Sequence, residues 1–376
     1  MKKLLFFVES LSGGGAEKVL VDLVRILSQK RYAITVCALT DVGVYQDELR
    51  KYCTYTFILP NPDRLESGWQ KKWYALRYKI VYKMPSKWAY RYCISGNYDV
   101  EIAFIEGYAT KLISGSRSNA KKISWVHIDL FANHWTSEVY ASVEQEIGAY
   151  KRYDHIVCVS ETVRDAFMRR FEPMESLEVR YNPVDELTIQ KQSEGQINVP
   201  EKRKAYRLIS VGRLEDQKGF DRLIDVAKQL EVDGFSFELY IVGEGSQRQM
   251  LEEKINLYKI NEYVHLVGFT SNPYAWIHSA DLFVCSSRSE GFSTVVTEAL
   301  ILGKAVVTTD CSGMEELLGT NNEYGLITEN DTQALYEGVK RLLEDKGCLQ
   351  KYTKKGLERG QKFNGENAVR QIETLL

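Results

Sequence analysis

Short runs of apolar residues recur along the whole chain, and stretches with helical spacing separate them. The runs are rich in Val, Ile and Phe, which is typical of strands that are buried on both faces of a parallel sheet. They lie at 3–8, 33–39, 54–59, 99–105, 122–127, 155–160, 207–212, 236–243, 264–269, 281–286, 305–309 and 325–328. Six runs in each half predict an α/β chain with two doubly wound domains rather than one large sheet.

The polar segment 190–205 has no hydrophobic periodicity, so we predict the interdomain linker there. We expect a first domain at 1–188, a second at 189–355, and a C-terminal helix at 356–376 that packs back on the first domain. Open parallel sheets bind ligands at the carboxyl ends of their strands. The cleft between two such domains is therefore the expected active site.

Composition narrows the class of protein. The 376 residues include 49 Lys+Arg and 51 Asp+Glu, and a net charge of −2 does not favour nucleic-acid binding. Seven scattered cysteines without a C-x-x-C pair favour reduced cytosolic thiols over disulfides or a zinc site. The first apolar run stops at Glu9, too early for a signal peptide, and no later run could span a membrane.

Two loops that follow predicted strands carry groups suited to phosphate. In 12–18, glycines let backbone N–H groups approach an anion, and the following helix N-terminus adds partial positive charge. A tight β–α turn explains this first loop equally well. In the second loop, Arg213 and Lys218 leave the end of strand 207–212, and a fork of donors beside a compact charge suits a diphosphate.

A third loop follows the strand at 281–286. Glu290 and Glu298 bracket a predicted helix start, with Ser293 or Thr294 as the N-cap. A continuous helix would place the two carboxylates ~12 Å apart, about the reach needed to hold both ends of a nucleotide-sugar. The N–H groups of 293–295 would then be free for phosphate. The alternative, Glu298 on a solvated helix face, leaves the Glu-Gly-Phe loop unexplained.

Taken in order, these motifs resemble the retaining glycosyltransferases of family 4, which have the GT-B fold of two facing Rossmann-like domains. The likeness extends over nearly the whole chain. It rests on Gly13-Gly14-Gly15-Ala16-Glu17, His127, Ser160-Glu161, Asn182-Pro183-Val184-Asp185, Val211-Gly212-Arg213 with Lys218-Gly219, Gly243-Glu244-Gly245, Val267-Gly268-Phe269 and the pair Glu290 and Glu298. Two places depart from the family pattern: Pro183 replaces a glycine, and 310–315 contains one glycine where a pair is usual.

The resemblance implies a role for each matching residue. Arg213 and Lys218 would neutralise the nucleotide diphosphate in place of a metal ion, Glu290 would face the donor sugar, and Glu298 would bind the ribose. His127 would contact the sugar near the reacting carbon, donating a hydrogen bond to a hydroxyl as a neutral imidazole. Further donor contacts would come from Gly14, Gly15, Gly212, Gly243, Gly268, Phe269, Gly291, Phe292, Ser293, Thr294 and Val295. No metal, cofactor or protein nucleophile is expected.

Segment 69–92 contains seven Lys/Arg, eight Trp/Tyr and no acidic residue, and it should be helical up to about Met84. A basic, aromatic helix fits the surface of an anionic membrane. A packed helix with solvated charges is the alternative, and nucleic acid is a third, which the net charge disfavours. The resemblance implies that this first domain binds the acceptor.

The expected activity is therefore transfer of a hexose or N-acetylhexosamine from a UDP-sugar to a glycan or lipid-linked acceptor, in bacterial cell-surface polysaccharide synthesis. We expect a cytoplasmic protein at the inner face of the cell membrane. The preference for UDP over GDP comes from the resemblance. Two alternatives stay open: a non-hydrolysing UDP-sugar 2-epimerase of the same fold, and a nucleotide-sugar-binding protein without turnover.

Overall fold

The computed structural model describes residues 1–30, 32–195 and 199–376, which form two compact units. Unit 1 comprises Met1–Pro183 and Glu366–Leu376, and unit 2 comprises Val184–Gly365. The division thus falls at Pro183, before the expected boundary at 188. Of the expected linker 190–205, the first residues belong to a helix, and residues 196–198 lie outside the described residues.

Unit 1 is built on one parallel sheet. Its strands are β1 (Lys2–Val8), β2 (Tyr32–Thr40), β3 (Thr54–Leu59), β4 (Val100–Ala103), β5 (Lys121–Val126), β6 (His155–Cys158) and β7 (Leu177–Val179). The helices up to the unit boundary are α1 (Gly15–Ser28), α2 (Gln46–Leu49), α3 (Gly68–Lys83), α4 (Ser86–Cys93), α5 (Tyr108–Ile113), α6 (Val143–Tyr150) and α7 (Glu161–Phe171). The strand order is β3-β2-β1-β4-β5-β6-β7. The sequence analysis missed β7, a three-residue strand that is only half-buried.

Unit 2 repeats this plan. Its strands are β8 (Tyr206–Val211), β9 (Phe237–Val242), β10 (Val264–Gly268), β11 (Leu282–Cys285), β12 (Ala305–Thr309) and β13 (Leu326–Thr328). Its helices are α8 (Glu186–Ser193), α9 (Phe220–Val232), α10 (Arg248–Tyr258), α11 (Tyr274–Ser279), α12 (Thr294–Ile301), α13 (Met314–Leu318), α14 (Thr332–Glu344) and α15 (Lys346–Gly360). The strand order is β10-β9-β8-β11-β12-β13, and all pairings are parallel.

Both sheets therefore have the doubly wound order in which the chain reverses direction beside the first strand. The reversal lies between β1 and β4 in unit 1, and between β8 and β11 in unit 2. Strands next to these points are largely buried because helices cover both faces: Leu4–Val8 of β1 and Leu282–Cys285 of β11 are buried without a break. The predicted α/β class with two Rossmann-like domains is confirmed.

The last helix, α16 (Gly365–Glu373), leads the chain back to unit 1. Tyr32 donates a hydrogen bond to Glu373, and Lys121 Nζ donates to the carbonyl oxygen of Leu375 at 2.9 Å. Tyr32 and Lys121 begin strands, so the segment lies at the amino edge of the sheet, away from the strand ends that bind ligands. Residues 356–360 of the expected tail belong to α15 of unit 2 instead. Within the described ranges, no helix combines the length and apolarity needed to cross a bilayer.

Candidate active site

The loops after β8 and β11 meet at the switch point of unit 2. Lys218 Nζ lies 2.6 Å from Glu290 Oε1, and Ser287 Oγ donates to the same oxygen at 2.6 Å. The side chains of Lys218 and Glu290 are only 21% and 9% exposed. Burial is the largest effect and disfavours the ammonium, but the charge of Glu290, the charge of Cys285 and the hydrogen bond to Glu290 together raise the pKa of Lys218 above 10.5. The two residues therefore form an ion pair at neutral pH.

Arg213 extends from the same loop as Lys218 and is exposed. Its positive charge opposes ionisation of Lys218, so the two cations are close enough to interact. In the part of the chain that the structure describes, neither an acceptor nor a carboxylate pairs with Arg213. Its five donors are thus available to an anionic ligand, beside the buried Lys218.

Gly212, Gly243 and Gly268, which were predicted to contact the donor, lie close together where β8, β9 and β10 end. Gly243 N donates to the carbonyl oxygen of Gly268 at 2.9 Å. A Cβ on Gly243 would lie 1.9 Å from the carbonyl oxygen of Gly212, and the residue has φ +150°, so only glycine fits. Next to this contact, Phe269 is 52% exposed. The loops that carry these expected donor contacts are therefore adjacent and backbone-lined.

Helix α12 begins at Thr294, with Ser293 as its N-cap residue, but the Ser293 side chain does not cap the helix. Ser293 Oγ is buried and has no hydrogen-bond partner among the described residues. Because 290–293 are not helical, the ~12 Å spacing expected from a continuous helix does not apply. Glu298 is buried, with Tyr274 Oη 3.4 Å from its Oε1, so its placement on a solvated face is wrong.

In unit 1, His127 follows β5 and is held from two sides. Its Nε2 lies 2.8 Å from the carbonyl oxygen of Phe104, and its backbone N–H donates to Glu106 Oε2 at 2.9 Å. A carbonyl can only accept, so Nε2 carries the proton. Burial lowers the pKa of His127 to about 4, which leaves the ring neutral with Nδ1 as an acceptor. In this arrangement Nδ1 could accept a hydrogen bond from a ligand rather than donate one, and the contact of His127 with the donor sugar stays a prediction.

Two interacting carboxylates that the sequence analysis did not single out lie in this part of unit 1, and one of them, Glu106, contacts His127. Glu9 follows β1 and accepts a hydrogen bond from Tyr108 N at 3.2 Å, while Glu106 follows β4. Burial, together with the charge of Glu106, raises the pKa of Glu9 to about 7. Strands β1 and β4 flank the switch point of unit 1. The sequence did contain a signal for these two carboxylates, because each of the two apolar runs is followed directly by a glutamate.

The glycine-rich loop after β1 is less open to an anion than its sequence suggests. Helix α1 begins at Gly15, with Gly14 as its N-cap. A Cβ on Gly14 would lie 2.3 Å from Glu17 Oε2, so a carboxylate of the chain itself occupies the helix N-terminus. Lys18 Nζ pairs with Asp22 at 2.7 Å. Both the N-terminus of α1 and Lys18 are thus already engaged by carboxylates of unit 1.

Two parallel-sheet units, with paired cation and carboxylate at the switch point of the second, define a GT-B glycosyltransferase. Two family models match the chain: Glycosyltransferase Family 4 at residues 13–186, and Glycosyl transferases group 1 at residues 192–359. Together they account for most of both units. The chain belongs to this family of glycosyltransferases.

One relative matches over almost the full length of both chains. It is N-acetylgalactosamine-N,N'-diacetylbacillosaminyl-diphospho-undecaprenol 4-alpha-N-acetylgalactosaminyltransferase of Campylobacter jejuni, 28% identical over 371 residues, which are 97% of this chain and 96% of that one. Among solved structures, HepE of Anabaena, in complex with UDP and glucose, has a TM-score of 0.76 at 20% identity and covers 100% and 99% of the two chains. Sucrose-phosphate synthase of Thermosynechococcus elongatus has a TM-score of 0.76 at 18% identity, with 100% and 98% covered. These two structures share the fold.

Proposed function

We propose that this chain is a retaining, metal-independent glycosyltransferase that transfers a hexose or N-acetylhexosamine from a UDP-sugar. The acceptor would be a glycan or a lipid-linked sugar in bacterial cell-surface polysaccharide synthesis. One observation carries the proposal: Lys218 and Glu290 pair at the switch point of unit 2, in the same loop system as the buried, unpartnered Ser293 Oγ.

The donor is inferred from the charges offered there. Lys218, Arg213 and the N-terminus of α12 each favour an anion, and the backbone N–H groups after Phe292 supply donors without a side chain. A nucleoside diphosphate provides two adjacent phosphates for these groups. HepE, which shares the fold, was solved with UDP and glucose, and this favours UDP over GDP.

In the proposed reaction, the acceptor hydroxyl attacks the anomeric carbon on the face from which the diphosphate leaves. The bond from the anomeric carbon to the phosphate oxygen breaks as the new glycosidic bond forms, and the hydroxyl proton passes to that phosphate oxygen. Lys218 and Arg213 stabilise the charge that develops on the leaving group. The α linkage in the name of the Campylobacter relative is consistent with retention from an α-configured donor.

We propose that His127 contacts the donor sugar near the reacting carbon, that the loops at the carboxyl edge of unit 1 bind the acceptor, and that α3 contacts the membrane. The name of the Campylobacter relative includes a diphospho-undecaprenol acceptor, which is a membrane lipid. An enzyme that extends such a lipid works at the bilayer surface. We therefore place this chain at the cytoplasmic face of the cell membrane, as a peripheral protein.

Helix α3 supports this placement because it has two different aromatic faces. On the packed face, Tyr74, Tyr78 and Tyr82 stack in order, and Tyr82 stacks on the buried Tyr108 with centroids 4.7 Å apart. The opposite face carries four apolar side chains at i, i+4, i+7 and i+11, which we call the outer stripe. These are Trp69 (72% exposed), Trp73 (52%), Leu76 (47%) and Ile80 (51%).

Lysines border the outer stripe, at Lys72, Lys79 and Lys83 on α3 and at Lys87 in the first turn of α4. Indole rings at the headgroup boundary, with ammonium groups beside anionic headgroups, are the chemistry of an interfacial helix. Each lysine near such a surface contributes ~1 kcal/mol of attraction. A packed helix with merely solvated charges would leave the four exposed apolar side chains unexplained.

The test is to incubate the full chain with a panel of nucleotide-sugars and with glycan and polyprenyl-diphosphate-sugar acceptors, and to follow nucleotide release and product anomers. UDP release that requires an acceptor, with an α product from an α donor, would support the proposal. Conversion of the sugar without release would indicate the epimerase, and UDP-sugar binding without either reaction would indicate a binding protein.

A further inference from the structure

Arg222, in the first turn of α9, carries a buried charge that has no carboxylate partner among the described residues. The residue is 6% exposed, and burial lowers the pKa of its guanidinium. Its Nε donates to the carbonyl oxygen of Ser286 at 2.7 Å, and its Nη2 donates to that of Ser287 at 2.5 Å. The guanidinium thus spans two consecutive carbonyls of the loop that leads from β11 to Glu290.

The same two serines hold the predicted catalytic groups through their hydroxyls. Ser286 Oγ donates to the carbonyl oxygen of Lys218 at 2.8 Å, and Ser287 Oγ donates to Glu290 Oε1 at 2.6 Å. Each serine therefore connects Arg222 on one side to Lys218 or Glu290 on the other. A shift of this dipeptide would move both members of the ion pair together.

We infer that Arg222 is a positioning residue for glycosyl transfer, which fixes the Ser286-Ser287 dipeptide and thereby the relative placement of Lys218 and Glu290. The inference rests on the proposed roles of those two residues. Within the described residues, no hydrogen bond or ion pair joins Arg222 to either of them; it acts through the serines.

Two features of the surrounding chain support the contact between Arg222 and the Ser286-Ser287 dipeptide. Gly219, between Lys218 and α9, has φ +61°, and a Cβ there would lie 2.2 Å from the Ser286 carbonyl oxygen and 2.8 Å from Arg222 Nε. On the other side, Thr309 Oγ1 donates to the Ser287 carbonyl oxygen at 2.6 Å. The dipeptide is therefore held from two directions. Lysine at 222 could supply only a point charge, whereas the planar fork of arginine reaches both carbonyls.

The neighbouring residue provides a matched control. Asp221 receives two hydrogen bonds from Arg288, at 2.8 and 2.7 Å, and so ties the same loop to α9 on its more exposed side. Replacing Asp221 removes a bond between the same two segments without touching the serine carbonyls. A general loosening of the loop would appear in both variants, whereas positioning of the ion pair would be lost only at Arg222.

The experiment compares R222K, R222M, R222A and D221N in the full chain, with the donor and acceptor that the substrate panel identifies. We expect kcat to fall ~100-fold in R222M and R222K, the scale of a small misplacement of reacting groups. The KM for the donor should change by less than about tenfold, and D221N should keep kcat within about threefold of wild type. Millimolar guanidinium should raise the kcat of R222A at least about tenfold. It should leave the kcat of wild type and of D221N unchanged.

Folding is checked by the thermal midpoint of each variant. R222K keeps a buried cation, so it decides the question if R222M does not fold. Wild-type kcat in R222K, an equal loss in D221N, or no response of R222A to guanidinium would each overturn the inference. If wild type turns over no donor with any acceptor, the proposed function fails and this inference with it. If wild type is active and the Arg222 variants match it, only this inference fails.

Discussion

Removing Lys218 should damage stability and activity through two separable effects. In the K218A variant, the Glu290 carboxylate, which is 9% exposed, loses its cationic partner and keeps the hydrogen bond from Ser287 Oγ. Breaking a fully buried ion pair costs ~3–5 kcal/mol. Because the Lys218 side chain is 21% exposed, we expect about 2–3 kcal/mol.

This loss of unfolding free energy can be measured as a shift of the thermal midpoint of unfolding. For a domain of this size, 1 kcal/mol corresponds to ~2–4 °C, so K218A should lower the midpoint of unit 2 by roughly 4–12 °C. The pKa of Lys218 is raised above 10.5, so the ammonium's contribution to stability is fully present at neutral pH and is lost as pH rises through that raised pKa. Measurements at neutral pH therefore report the whole effect.

Activity should fall independently, because in the proposed reaction Lys218 also stabilises the leaving diphosphate. Loss of one such electrostatic contact should lower kcat/KM by ~100–1000-fold. The double variant K218A/E290Q removes the unpaired charge, so we expect most of the midpoint to return while activity stays low. R213A is the control: Arg213 is exposed, so activity should fall on a similar scale with the midpoint unchanged.

The measurements are calorimetry of the full chain and initial rates with a UDP-sugar and acceptor. Full activity in K218A, or recovery of activity in K218A/E290Q, would contradict the assignment of Lys218 to the diphosphate. An unchanged midpoint in K218A would contradict the energetic argument from burial.

Three further outcomes are expected. Turnover should survive EDTA, because Lys218 and Arg213 balance the leaving charge; complete loss that Mg²⁺ or Mn²⁺ restores would argue against this. S293A should weaken UDP binding about tenfold or more by calorimetric titration, with no loss of unfolding free energy, because the buried Ser293 Oγ has no partner among the described residues. Changing Lys72, Lys79, Lys83 and Lys87 to Glu should abolish salt-sensitive binding to phosphatidylglycerol vesicles while UDP affinity is retained, and vesicle binding that persists would leave the outer stripe, not charge, as the anchor.

The fold could be read from the sequence because most of its strands are buried over much of their length, as β1, β4, β9, β11 and β12 show. Such strands appear as unbroken apolar runs, and every predicted run corresponds to a strand. Strand β7 escaped because Leu177–Val179 is short and half-buried, so it has no continuous apolar signal. Lys218 and Glu290 were predictable because chemistry at strand ends follows from the topology alone.

What the sequence could not reveal depends on contacts between distant segments. Arg222 and Ser286 are 64 residues apart in the sequence, and the local sequence around either residue does not predict their contact. The direction of the His127 hydrogen bond depends on the Phe104 carbonyl from another strand. Helix α3 was recognised as basic and aromatic, but its aromatic residues occupy both faces, so periodicity could not separate the packed tyrosines from the exposed outer stripe.

This division of α3 constrains how the helix can change during evolution. A turn holds 3.6 residues, so inserting a single residue would rotate everything beyond it by ~100°. Such an insertion would bring tyrosines such as Tyr78 towards the surface and turn Leu76 or Ile80 towards the interior, disturbing both faces at once. Point substitutions can adjust either face alone, but a change in length cannot. Homologues of this chain should therefore keep the length of α3 even where the residues of the helix differ.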